Sequence, residues 1–159
     1  MPNYCTNMLI LRDHKTALDL WLAQTTVDDE LLHFEKALPI PDSVEDETEW
    51  CVNNWGCKWA PEDAVLEYEE VNGLMEYRIE FLTPWTPPIE AIEQLMDRQP
   101  LIYAELNWIE VGMDTAGWYV WEKGKVTRQF EGDSTVEGYE AWALEKFGMD
   151  VEGDMNHED

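Results

Sequence analysis

Basic residues are scarce. The chain of 159 residues holds 10 Lys plus Arg against 35 Asp plus Glu, a formal net charge of −25. So few cations leave little to hold nucleic acid phosphates or anionic lipid headgroups, which excludes direct DNA, RNA and membrane-surface binding from the expectations. No apolar run approaches the ~20 residues of a membrane-spanning helix. The opening MPNYCTNMLILRDHK carries no basic leader before its short apolar run. That predicts no secretory signal and a cytoplasmic location. Cysteine is sparse, and Cys5, Cys51 and Cys57 cannot close an even disulfide framework. The Cys51 to Cys57 step is wider than a paired zinc-ligand step, so these read as free, buried thiols. His14, His33 and His157 are scattered, and no phosphate-cradling glycine loop, nucleophile elbow or His-Glu metalloprotease motif occurs. The expectation is a non-enzyme with no catalytic set, no metal and no cofactor. With this many carboxylates an acid pair arises by chance and signals nothing.

What is present is aromatic and apolar. Hydrophobic residues make up 45% of the chain, with Trp 9, Tyr 6 and Phe 4. Disordered chains are poor in aromatics, so this one folds, and its length suits one domain. We read that domain as residues 1–148 and the acid-rich end, 149–159, as a loose tail. The acids are densest over 28–49, 62–70 and 131–159.

Cys5–Leu11 reads as a first strand. Thr16 with Asp19 reads as a capping box opening a helix whose buried stripe is Leu18, Trp21, Leu22 and Thr25. The acidic stretch from Val27 to Trp50 reads mostly as loop, with a short helix at Val44–Val52. Ala64–Val71 reads as a strand, Asn72-Gly73 as a tight type I′ turn, and Met75, Tyr77, Ile79 and Phe81 alternate with polar residues in the next strand. Thr86 reads as the cap of a second helix opened by Pro87 and Pro88, with Ile89, Ile92, Leu95 and Met96 as its apolar stripe. Ile102, Ala104, Leu106 and Trp108 alternate in a further strand. A hairpin over Trp118–Phe130 turns at Lys123-Gly124. Ser134 with Glu137 reads as a capping box for a helix carrying Tyr139, Trp142, Ala143 and Phe147, ended by Gly148. This order predicts an α+β fold: a ferredoxin-like split βαβ sandwich with an insertion after the first helix and a C-terminal hairpin plus helix. Glu110-Val111-Gly112 with Asp114 reads as a solvated loop, with a divalent-ion loop as the alternative.

Four blocks, "MPNYCTN", "NWGCKW", "FLTPWTPP" and "NWIEVGMDTAGW", appear in this order. Together they resemble the phage- and plasmid-borne YubB ferredoxin-like domain family over roughly Met1 to Lys125. The matching positions are Pro2, Asn3, Cys5 and Asn7; Asn54, Trp55, Gly56, Lys58 and Trp59; Phe81, Thr83, Trp85, Pro87 and Pro88; and Glu110, Gly112, Ala116 and Gly117. The sequence departs from the family pattern at Tyr4, Cys57 and Ala60. The resemblance implies a ferredoxin-like fold and a mobile-element origin, and it brings no catalytic residues.

The block NNWGCKWAPED reads first as a tryptophan plug in the core and second as a gripping surface. Trp55 and Trp59 would share a face if their segment were helical. Lys58 is a lone cation that can cap a carboxylate or lie over an indole. The favoured function is a non-catalytic, acidic phage- or plasmid-type protein that binds a basic host protein, in its sharper form a nucleic-acid-binding one inhibited by DNA mimicry. The expected partner-binding residues are Asn54, Trp55, Lys58, Trp59 and Trp85 with the acids Glu45, Asp46, Glu47, Glu49, Glu62, Asp63, Glu67, Glu69 and Glu70. The alternatives are a small-molecule or peptide-binding module using the Trp-rich block, or an enzyme whose site has no recognised motif.

Overall fold

The computed structural model describes residues 3–150. In chain order its elements are β1 (Tyr4–Asp13), α1 (Lys15–Ala23), α2 (Phe34–Ala37), α3 (Glu47–Trp55), β2 (Glu62–Val71), β3 (Leu74–Pro84), α4 (Ile89–Arg98), β4 (Tyr103–Glu110), β5 (Thr115–Glu122), β6 (Lys125–Gly132) and α5 (Tyr139–Phe147). The strands form one six-stranded sheet in the order β2-β3-β1-β4-β5-β6, with every neighbour antiparallel. The first four positions are those of a split βαβ sandwich. The β5–β6 hairpin then lengthens the sheet beyond β4.

Side-chain alternation sorts the sheet into two faces. Leu9, Ile79 and Leu106 are in register across β1, β3 and β4. They bury one face against Leu18 and Trp21 of α1 and Ile92, Leu95 and Met96 of α4. The insertion after α1 joins this layer, and Leu32, Phe34, Leu38, Cys51 and Trp55 belong to the same core. The opposite face receives α5 over β4 and β5, where Ala143 packs on Ile109 and Ala116. This second cover makes β4 buried on both sides. Glu105 and Asn107 alternate with Leu106 and Trp108, yet they too are buried.

Both turns expected from the sequence form: Asn72-Gly73 and Lys123-Gly124 hold positive φ at both positions, the geometry of a type I′ turn. The caps are different. The Thr16/Asp19 box does not form: α1 begins at Lys15, and Asp19 instead accepts from Lys15 and from the Tyr77 hydroxyl. The working acid there is Asp13, which accepts from the His14 and Ile102 amides. Thr86 does not cap α4, whose N-cap is Pro88; its hydroxyl donates to the Gly56 carbonyl. The Ser134/Glu137 box is also not made, because Ser134 donates its amide and hydroxyl to Asp114 and α5 starts after Gly138. The acidic insertion carries more helix than expected: α3 runs to Trp55, capped by the Asp46 carboxylate on the Glu49 amide. Within the segment read as tail, Met149 packs on the Ala143 cluster. Residues 151–159, including His157, lie outside the described residues.

Candidate functional site

The sequence blocks that stand far apart in the chain meet at one end of the sheet, where β1 starts and β3 and β4 finish. Buried Asn7 donates to the Thr83 hydroxyl at 2.9 Å, and Thr83 in turn donates to the Thr86 carbonyl at 2.7 Å. The Trp85 amide donates to Asn3 at 2.8 Å. Glu110 turns back on its own loop and accepts from the Gly112 and Met113 amides. With Glu110 so engaged and Asp114 holding Ser134, the two carboxylates serve different backbones. Among the described residues no cluster of His, Cys, Asp or Glu has metal-holding geometry.

Gly56 closes α3 onto this end. Its φ of 90° is the left-handed helix cap that glycine adopts without strain, and its amide donates to the Cys51 and Val52 carbonyls. The cap bends the chain out of helix, so Trp55 and Trp59 do not share a face. Trp55 sinks into the core beside Phe34 and donates its indole N–H to the Leu38 carbonyl. Trp59 stays 40% exposed and donates to the Glu62 carboxylate at 3.1 Å. Asn54 faces inward: its side chain donates to Trp50 and its carbonyl accepts from Gln94 of α4. Lys58 lies over the Trp85 ring, 5.4 Å from its centroid.

The structure therefore brings Lys58, Trp59, Glu62, Asp63 and Trp85 together on an exposed rim, with Tyr4 beside them. The Glu62 carboxylate, and Asp63 behind it, raise the Tyr4 phenol above its ordinary value. Glu67, Glu69 and Glu70 continue along β2. At ~3.3 Å per residue the strand carries the acids over roughly 26 Å. Glu45, Asp46, Glu47 and Glu49 stand at the opposite end of α3, about one helix length of ~13 Å away. All of these acids are exposed, and among the described residues none of them pairs with a lysine or arginine.

The cations are spent elsewhere. Lys36 and Arg98 donate to backbone carbonyls. Arg12 and Arg78 flank the buried Glu76, and Lys146 of α5 reaches the buried Glu105, all on the second sheet face. Arg12 also lies 4.6 Å over the Tyr103 ring. Lys146 on Glu105, and Trp142 donating to Asn107, which in turn donates to Glu105, add polar ties to the apolar packing of α5 on the sheet. Nothing in the local sequence of β4 signals them.

Of the polar residues that an enzyme reading needs, His14 is exposed at the start of α1 and Lys58 is exposed on the rim. His33 is half-buried and contacts Glu30 at 2.6 Å. His33, Lys58 and Trp59 line a shallow groove of about 350 Å³ between α2 and α3. The cysteines are all buried thiols. Burial raises Cys5 to about 12 and pushes Cys51 and Cys57 up as well, which keeps all of them protonated and unreactive. Among the described residues, no helix is long and apolar enough to cross a membrane.

A family model described as a ferredoxin-like domain in Api92-like protein matches residues 54–151. The ferredoxin-like expectation agrees with this description, and the YubB name does not occur in it. None of the curated proteins matches the chain. Among solved structures, a protein api92 from Yersinia pseudotuberculosis is similar at 16% identity and a TM-score of 0.48, over 68% of this chain and 38% of that one. The chain thus spans less than half the length of that solved relative.

Proposed function

Since the chain belongs to the family of ferredoxin-like domains in Api92-like proteins, a description that names no reaction, we propose that it works by binding another protein through its acidic face. The partner is a basic protein of a host cell, and the phage or plasmid origin suggested by the four YubB-like blocks is part of this reading. One observation carries it. Among the described residues the exposed acids of α3 and β2 form no ion pair with lysine or arginine, although Glu67 stands opposite Arg78 across the strands, while Arg12, Arg78 and Lys146 are engaged by the buried Glu76 and Glu105. The acids span tens of ångströms, which suits a partner-sized surface better than a pocket. Trp59, half in solvent and fixed by Glu62, supplies the aromatic anchor that protein interfaces favour.

In its sharper form the partner's basic site is a nucleic-acid site. Two-residue steps put Glu67 and Glu69 about 6.6 Å apart. B-DNA carries one charge per about 1.7 Å of axis. The form of mimicry supported is competition for the same site, without a copied phosphate spacing.

The test is a pull-down from host lysate at about 0.05 M and about 0.5 M salt, where screening separates charge-driven binding from other kinds. The expected result is a basic protein retained at low salt, released at high salt, displaced by duplex DNA and lost with Trp59→Ala plus Glu62→Ala. Retention indifferent to salt, or no basic protein retained at all, overturns the reading. Retention that DNA does not displace removes the mimicry and keeps the binding. A second reading, a peptide or small-molecule module, is favoured by the groove that Trp59, Lys58 and His33 line. A flat thermal-shift response to a metabolite and peptide panel sets it aside.

A further inference from the structure

On the second face of the sheet, away from the acidic rim, four aromatic rings converge. Trp118 of β5 and Phe130 of β6 are cross-strand partners, their ring centroids 6.0 Å apart and tilted by 32°. Tyr139 and Trp142 come from the first turns of α5, 5.9 Å apart at 40°. The sheet pair and the helix pair line one cavity of about 210 Å³, rimmed by Glu137 and Gly138. The rim is a formed structure: Asp114 holds the Ser134 amide and hydroxyl, and Asp133 holds the Thr135 amide and hydroxyl. The Trp142 ring is locked by its N–H bond to Asn107.

The chemistry of this cavity is specific. Rings offer their negative faces to a cation, and attraction is felt within about 6 Å of the centroid. Glu137 is exposed at the mouth, and Asp114 is close enough to help raise the Tyr139 phenol, after burial. The N-terminal dipole of α5 opposes a cation here, and Glu137 and Glu140 at its start offset that dipole. The cavity is too apolar for a strongly hydrated ion, since the walls offer rings in place of oxygen ligands. A bulky, weakly hydrated cation fits both the walls and the charge.

We propose that the cavity between the β5–β6 hairpin and α5 binds an organic ammonium group, a quaternary or N-methylated amine. The site does not rest on the partner surface, which lies on α3 and β2. Its test is calorimetric titration of the whole chain with choline and with 3,3-dimethylbutan-1-ol, the neutral molecule of the same shape, at physiological salt. Choline is expected to bind at least about tenfold tighter than its isostere, because only the cation gains from the ring faces. Phe130→Leu keeps the cavity apolar and removes one ring face, and it should shrink that preference several-fold. Glu137→Gln, a substitution at an exposed position, should weaken choline several-fold with folding unchanged by circular dichroism. A trimethyllysine peptide that binds tighter than choline assigns the site to a protein side chain, and the reverse order assigns it to a free small molecule. Three results overturn the proposal: no choline binding at tens of millimolar, equal affinity for the neutral isostere, or choline binding that neither substitution changes. The last would mean diffuse attraction to an acidic surface.

Discussion

A Cβ at Gly56 would stand 2.2 Å from the Glu90 carboxylate and 2.9 Å from the Pro87 carbonyl, at a φ of 90°. The carboxylate can swing away, but the carbonyl belongs to the backbone that leads into α4. Gly73 has a similar φ of 83° with nothing within 4 Å, so it isolates the conformational cost alone. Gly73→Ala should cost about 1–2 kcal/mol for the left-handed backbone. Gly56→Ala should cost about 1–3 kcal/mol more, the usual range for forcing atoms into filled space. Urea unfolding followed by tryptophan fluorescence measures both. The buried Glu105–Lys146 pair gives a second test. Burial pushes the Glu105 carboxyl up, but Lys146, Tyr103 and Asn107 together hold it below its ordinary value. A depressed folded-state value stabilises the fold above the unfolded value, 4.5, and that contribution is lost as pH falls through the folded value. Lys146→Met strands the carboxylate and should cost about 3 kcal/mol at neutral pH. The gap between parent and variant should begin to narrow above 4.5, as the stranded carboxyl takes up its proton, and close as pH falls below 4.5. A gap that stays constant across that range would mean that Lys146 acts through packing alone.

The elements were legible wherever a local pattern decides them. The alternation of Met75, Tyr77, Ile79 and Phe81 is the alternation of β3, and Ile92, Leu95 and Met96 are the buried stripe of α4. Asn72-Gly73 and Lys123-Gly124 turn as written because few dipeptides tolerate positive φ twice in a row. The helix starts were misread because a cap is a contest among nearby acceptors. Thr16 and Asp19 fit the capping pattern, yet α1 begins at Lys15 with no side-chain cap, and Asp13 just before it takes the amides of His14 and of Ile102, far away in sequence. Replacing Asp13 by Ala should therefore cost about 2 kcal/mol, for two amides left without their charged acceptor. Thr16→Ala should stay within about 0.5 kcal/mol, as for an ordinary surface position. Equal effects would restore the capping box. β4 shows another limit. Its Glu105 and Asn107 look like a wet face, and only the return of α5 with Lys146 and Trp142 makes them a dry one. The residue types of the rim, Lys58, Trp59 and Trp85, were visible in the sequence. Their pairing was not, since Gly56 ends the helix that would have aligned Trp55 with Trp59. Trp118 and Phe130 were legible as the ends of a hairpin and Tyr139 and Trp142 as residues of the last helix, and their convergence on one cavity needed the placement of α5.

At the scale of the whole molecule, charge works against the fold and in favour of its use. A net charge of −25 repels itself, and the sheet contains a direct instance: Glu69 of β2 stands opposite Glu76 of β3. Opposed like charges on neighbouring strands are destabilising, and opposite charges contribute about 0.2–1 kcal/mol. Natural surfaces commonly give up stability of this size where function needs the charge. Glu69→Lys removes the repulsion, adds a possible partner for the buried Glu76, and alters the acidic strand that we propose contacts a basic protein. The two consequences have opposite signs. The variant should unfold about 0.5 kcal/mol later than the parent in urea at low salt, with the difference shrinking as added salt shortens the reach of the charges. The same variant should bind the basic partner several-fold more weakly, mostly through a slower association rate, since rim charges act on encounter more than on release. A variant that gains stability and keeps full binding would separate β2 from the partner surface and leave α3 and Trp59 to carry it. A variant that loses both would show that Glu69 is held by the fold for a reason other than its charge.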